Sequence, residues 1–124
     1  MKDRYQRMAQ YKITAKEYRE MIFGKLNPKA PGPQFRSEWE REFGLWLTAS
    51  GYEWKYEAIR LNLADRTTYT PDFWCPKIAG GTFYEVKGFR RQAGMIKFKV
   101  AKEQYLEFKF YLVTKNKIGG WCIS

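Results

Sequence analysis

The stretch Thr68–Gly88, TYTPDFWCPKIAGGTFYEVKG, decides the reading of the fold. Its two apolar and aromatic runs, Tyr69–Trp74 and Thr82–Lys87, have the composition of β-strands. Pro76 closes the first, and Ile78-Ala79-Gly80-Gly81 supplies the turn between them. Two strands joined so closely pair antiparallel. Side chains two apart on a strand share a face, so Glu85 and Lys87 project together while Val86 points the other way. Antiparallel pairing of the runs can bring Asp72 beside Glu85.

Upstream, Glu53–Leu63 reads as a further strand, with Asp65-Arg66 as the turn that follows it. Ser37-Glu38-Trp39-Glu40 is a capping box, Ser/Thr-x-x-Glu, that opens a helix running to Gly51 with an apolar stripe of Trp39, Phe43, Trp46 and Leu47. Downstream, Ala93–Tyr105 is helical and Phe108–Thr114 is a last strand. The predicted order is α-β-β-β-α-β, an α/β domain with a mixed four-stranded sheet covered by helices. The first three strands form a meander, and the fourth runs parallel after its helical crossover. Trp54 and Tyr56 read as core or dimer-contact residues rather than base-stacking ones.

The domain is expected over residues 35–124. Residues 1–34 read as a basic arm, with a capping box at Thr14–Glu17 opening a short helix through about Phe23. Residues 24–34, GKLNPKAPGPQ, then read as a linker. The arm holds eight Lys/Arg against three acids and suits either a nucleic-acid backbone or a solvated tail.

Composition limits the chemistry. A length of 124 residues allows one core, and five Trp, nine Tyr and nine Phe are ample to fill it. The net charge of +10 suggests a polyanionic partner, of which nucleic acid is the commonest, though a merely basic protein is the plainer alternative. The sequence has no run long and apolar enough to span a bilayer, so no membrane association is expected. The N-terminal run MKDRYQRMAQYK has no signal-peptide core, and Cys75 and Cys122 have no metal-ligand spacing. Both cysteines are expected to be thiols in a cytoplasmic protein. Histidine is absent, which excludes imidazole-based catalysis and His-containing zinc sites. Carboxylates, lysine and a hard metal remain.

Asp72 and Glu85 held side by side repel, and a divalent cation relieves that repulsion. Oxygen ligands of this kind suit Mg²⁺ or Mn²⁺. Val86 offers a carbonyl as a neutral ligand, and Lys87 an ammonium to orient water or stabilise transition-state charge. Glu40, at i−3 from Phe43, is placed either to reach inward to the same site or to cap the Ser37 backbone. A Glu-x-Lys triplet arises by chance about once in a few hundred residues. The weight lies in its combination with Pro71-Asp72 on the preceding strand, an acid-bearing helix before both, and a basic, His-free chain.

With these motifs in hand, the chain resembles the PD-(D/E)xK nuclease superfamily, and within it the phage endonuclease I family of Holliday-junction resolvases. The runs Phe35–Glu40, Thr68–Phe73 and Phe83–Gly88 look like that family's helix, second and third motifs, over roughly Phe35–Val113. The segment Thr14–Phe23 with its linker looks more like a group of small phage nucleases with the same motifs. The resemblance implies a restriction-endonuclease-like core and a Mg²⁺- or Mn²⁺-dependent endonuclease. Asp72, Glu85 and Glu40 would be its metal ligands and Lys87 its catalytic lysine. It implies a branched DNA substrate in phage recombination and a homodimer. In the family Glu40's counterpart comes from the partner subunit, across a bridge that is shorter here, between Leu61 and Tyr69. Arg36, Arg90, Arg91, Lys97, Lys99 and Lys102 are the expected phosphate contacts. The competing expectations are a nuclease of other specificity (single-strand, flap or nicking) and a non-catalytic nucleic-acid-binding module.

Overall fold

The computed structural model describes residues 35–87 and 92–124, with the side chains of 92–94 outside the description. The predicted N-terminal arm and its helix lie outside the described residues. Among the described residues nine elements follow one another: α1 (Glu38–Ala49), β1 (Lys55–Tyr56), β2 (Leu61–Asn62), β3 (Thr68–Tyr69), β4 (Phe73–Cys75), β5 (Thr82–Val86), α2 (Gln92–Gln104), β6 (Lys109–Lys115) and β7 (Trp121–Ile123).

A mixed sheet of order β1-β4-β5-β6-β7 forms the centre. The pair that the opening stretch predicts is present: β4 and β5 run antiparallel, with Phe73 opposite Tyr84 and Cys75 opposite Thr82. β6 lies parallel to β5 after the α2 crossover, with Glu85 opposite Leu112. The class is therefore α/β with a mixed sheet, as the order of elements implied.

The strand count differs from expectation. The main sheet has five strands, and β2 and β3 form a separate antiparallel pair. The expected strand over 53–63 breaks at Glu57, whose φ of 46° is left-handed and turns the chain off the sheet. The expected strand over 69–74 breaks at Pro71, which locks φ and has no N–H for a ladder. β7 had no counterpart in the sequence reading. It follows a turn pinned by Asn116, whose Oδ1 accepts from the Ile118 and Gly120 N–H groups at 3.0 and 2.8 Å.

Strand alternation sorts the aromatics onto two faces. Phe73, Tyr84 and Val113 pack under α1 with Phe43 and Leu47. Trp74, Phe83 and Phe110 pack under α2 with Phe98, Ala101 and Tyr105, together with Ile59, Leu61, Leu63 and Tyr69 from the β2–β3 hairpin and its approach. Phe43 and Phe73 are both 0% exposed and meet edge to face at 5.4 Å, which seats α1 on the sheet. Tyr56 is buried in the core, and Trp54 is half-buried at its edge, packing on Phe73 at 5.2 Å and donating to Thr48 Oγ1.

The hairpin is held to α2 by polar contacts. Gln104 Nε2 and the Tyr105 hydroxyl both donate to the Asn62 carbonyl, and Gln104 Oε1 accepts from the Ala64 N–H at 2.7 Å. The segment between Leu61 and Tyr69 thus packs against α2 of the same chain.

Candidate active site

α1, β4 and β5 converge at one end of the sheet. Ser37 caps α1 by accepting the Glu40 N–H at 3.2 Å. The Glu40 carboxylate turns inward, is 5% exposed, and its Oε2 accepts the Tyr56 hydroxyl at 3.0 Å. The inward of its two expected roles is therefore the one its side chain takes. It reaches the Tyr56 hydroxyl of its own chain.

Asp72 sits just before β4, where Pro71 has freed the chain from the ladder. Its Oδ2 accepts the Val86 N–H at 2.8 Å, which fixes the second motif onto the third. Glu85 projects from β5 toward the hairpin face, and its Oε1 accepts the Tyr69 hydroxyl at 2.8 Å and the Asp72 N–H at 3.3 Å. The antiparallel pairing expected to bring Asp72 beside Glu85 does so.

A fourth acid joins them. Carboxylate oxygens of Glu40, Glu57 and Asp72 all lie within 4.8 Å of one another. Glu57 is 5% exposed, and its own N–H donates to the Asp72 carbonyl at 2.8 Å. Its left-handed φ costs about 1–3 kcal/mol for a residue with a side chain, and strain of this kind clusters at functional sites. The sequence reading missed Glu57 because strand alternation puts it on the face opposite Tyr56. The available signal was one acid inside the run Tyr56-Glu57-Ala58-Ile59, all of it buried, since a buried charge needs a reason.

The electrostatics follow from the crowding. Burial, then the charges of Glu85 and Glu40, raise the Asp72 pKa well above the carboxylate range, against the pull of the Val86 N–H. Burial pushes Glu85 up to about 7, although the Tyr69 hydroxyl and Asp72 N–H favour its charged form. A site that disfavours its own negative charges this strongly fits a hard divalent cation, and its oxygen donors are the ligands that Mg²⁺ and Mn²⁺ take.

The remaining expected residues divide. The Lys87 N–H extends the β5 ladder by donating to the Val113 carbonyl at 2.9 Å. Its side chain is partly buried at the same end of the sheet and, among the described residues, makes no hydrogen bond or ion pair. Val86 contributes the N–H that holds Asp72. Arg36, expected on phosphate, instead pairs with Glu57, Nε to Oε1 at 2.9 Å and Nη2 to Oε2 at 3.1 Å. Lys97 donates to the Thr68 carbonyl at 2.9 Å. Lys99 and Lys102 are exposed on α2, and Arg90 and Arg91 lie outside the described residues.

Among the described residues, no helix is long and apolar enough to cross a membrane. Compared with family models, with curated proteins and with solved structures, the chain has no match in any of the three.

Proposed function

We propose that this chain is a metal-dependent endonuclease with a restriction-endonuclease-like core, hydrolysing phosphodiesters in branched DNA as a phage Holliday-junction resolvase does. One observation carries the chemistry: three inward-turned carboxylates within 4.8 Å at the sheet end that also bears Glu85 and Lys87. The basic, histidine-free composition agrees with a phosphate substrate and a metal rather than an imidazole base.

Asp72, Glu40 and Glu57 would hold Mg²⁺ or Mn²⁺, with Glu85 and the Val86 carbonyl completing the set. When bound, the ion supplies Lewis-acid polarisation of the phosphate and a more acidic water. The protein's part is positional. The Lys87 ammonium orients the attacking water and stabilises charge gathering on the phosphoryl oxygens. Glu85, held by the Tyr69 hydroxyl, stays among the residues that would hold the ion, and the attacking water gives its proton to solvent as its oxygen bonds to phosphorus. One P–O bond forms and one breaks, and the departing oxygen takes a proton from solvent. Lys99 and Lys102, with the Arg90-Arg91 pair that precedes α2, would meet flanking phosphates. A homodimer would match the paired arms of a four-way junction.

The test is a substrate panel with Mg²⁺, run with wild type and Asp72→Ala. Four-way junctions cut faster than flaps, single strands and plain duplex, and only by wild type, are the expected result. Equal rates across the panel would overturn the branched-DNA assignment and keep the nuclease. Salt-sensitive binding without cleavage in any metal would overturn the enzyme.

A further inference from the structure

The second, two-stranded sheet lies off the main sheet, yet it delivers one polar atom into the site. Tyr69, on β3, is 6% exposed, and its hydroxyl donates to Glu85 Oε1 at 2.8 Å. Tyr56, on β1, is 7% exposed, and its hydroxyl accepts the Arg36 N–H at 3.1 Å while donating to Glu40 Oε2 at 3.0 Å. The two tyrosines come from opposite faces of the sheet and end on two different carboxylates. Asp72 has the equivalent contact from a backbone group, the Val86 N–H on Oδ2.

The pattern is the same at all three acids. A neutral donor holds one carboxylate oxygen, and among the described residues no ion pair occupies the second. Neutrality matters. A lysine or arginine in the same place would fix the carboxylate but cancel the charge that attracts a cation. A phenol fixes the rotamer and leaves the charge in place. Groups that hydrogen-bond to metal ligands orient them, and losing one typically costs about 10–100-fold in metal affinity or activity. Tyr56 packs against Phe35 at 4.7 Å and Phe73 at 5.5 Å, and Tyr69 is buried in the hydrophobic cluster under α2, so their hydroxyls have little freedom to leave.

We infer that Tyr69 and Tyr56 are positioning residues that aim the second oxygens of Glu85 and Glu40 at a divalent cation. The inference rests on the metal reading of the acidic cluster. It also gives the β2–β3 hairpin a role, because its anchorage to α2 through Gln104, Tyr105 and Lys97 sets where the Tyr69 hydroxyl lies.

The experiment is a calorimetric titration of Mn²⁺ into the full chain, as wild type, Tyr69→Phe, Tyr56→Phe and Asp72→Ala, each first shown to unfold cooperatively. Phenylalanine keeps the ring packing and removes only the hydroxyl. Each Phe variant is expected to bind Mn²⁺ about tenfold more weakly, to lose kcat on cleaved DNA, and to keep wild-type DNA affinity measured without metal. Folded Phe variants with wild-type Mn²⁺ affinity would overturn the inference. Wild type and Asp72→Ala both failing to take up Mn²⁺ would overturn the inference together with the metal reading. Wild type that binds Mn²⁺ through Asp72 but cuts no DNA would overturn the hydrolytic reading alone, because the same titrations still decide the tyrosines.

Discussion

Glu85→Gln should make the metal-free protein more stable at pH 8 while abolishing cleavage. In the folded chain burial lifts Glu85 from 4.5 to about 7, a difference worth about 3 kcal/mol at 1.36 kcal/mol per pKa unit. The direction follows from proton counting. Between pH 4.5 and about 7 the folded form keeps a proton that the unfolded chain has released, so stability falls as pH rises through that window and levels off above it. Asp72 is displaced in the same direction, and the two carboxyls titrate as a coupled pair, which deepens the slope. Glutamine keeps an oxygen for the Tyr69 hydroxyl and removes the ionisation. At pH 8 it should regain much of that free energy, on the order of 10 °C in Tm for a domain of this size. The measurement is urea or thermal unfolding of wild type and variant at pH 5 and pH 8, with EDTA and with Mg²⁺. Mg²⁺ at 100 times its Kd stabilises by about 2.7 kcal/mol and should largely cancel the wild-type loss. The reasoning is refuted if metal-free wild type is as stable at pH 8 as at pH 5. It is equally refuted if Glu85→Gln is the less stable protein at pH 8.

Glu57→Gln should reduce Mn²⁺ affinity in calorimetry as much as Glu40→Gln does, since both acids contribute to the same three-oxygen cluster. Arg36→Gln should raise Mn²⁺ affinity, because the guanidinium on Glu57 is a resident cation that a metal must displace. Its effect on metal-free stability should stay within about 1 kcal/mol for so exposed a partner, and weakened Mn²⁺ binding would count against this reading. Gly81→Ala should destabilise by about 2–4 kcal/mol in denaturant unfolding. A Cβ there would lie 2.6 Å from Trp74 Cη2 on a residue whose φ is +126°.

The legible part of the fold is the part that burial writes into composition. β4 and β5 carry Phe73, Trp74, Phe83 and Tyr84, which must be hidden on both faces, and the turn residues between them leave one way to pair. α1 is equally readable from its cap and stripe, although Trp46 proves to be 36% exposed at the edge of that stripe. The breaks in the predicted strands are harder to read. Pro71 is visible as a breaker, yet it stands inside an apolar run whose composition outweighs it. Glu57 has no local feature that demands a left-handed φ. That conformation is imposed by tertiary contacts, among them its own N–H on the Asp72 carbonyl and its carboxylate on Arg36. β7 is short and follows a Lys- and Gly-rich turn, so its pairing with Val113–Lys115 is a property of the sheet edge rather than of Trp121–Ile123.

The site shows the same division between local and non-local information. Asp72 and Glu85 could be placed together because strand pairing is a local rule applied twice. Glu40 could be placed only as one of two alternatives, since its capping-box position explains it equally well until Tyr56 is brought to its carboxylate. Glu57 carries no motif that would mark it, and nothing in sequence separates a cation that meets substrate from one that, like Arg36, pairs with a buried acid. Glu57 and Glu40 are held by side chains from other elements that no pairing rule relates to them: Arg36 is 21 residues from Glu57, and Tyr56 is 16 from Glu40. Those contacts also explain how a cluster of like charges persists in the folded chain. Each carboxylate carries a donor, while burial first and then the neighbouring acids raise Asp72 and Glu85, so a cation there would relieve both the desolvation and the repulsion.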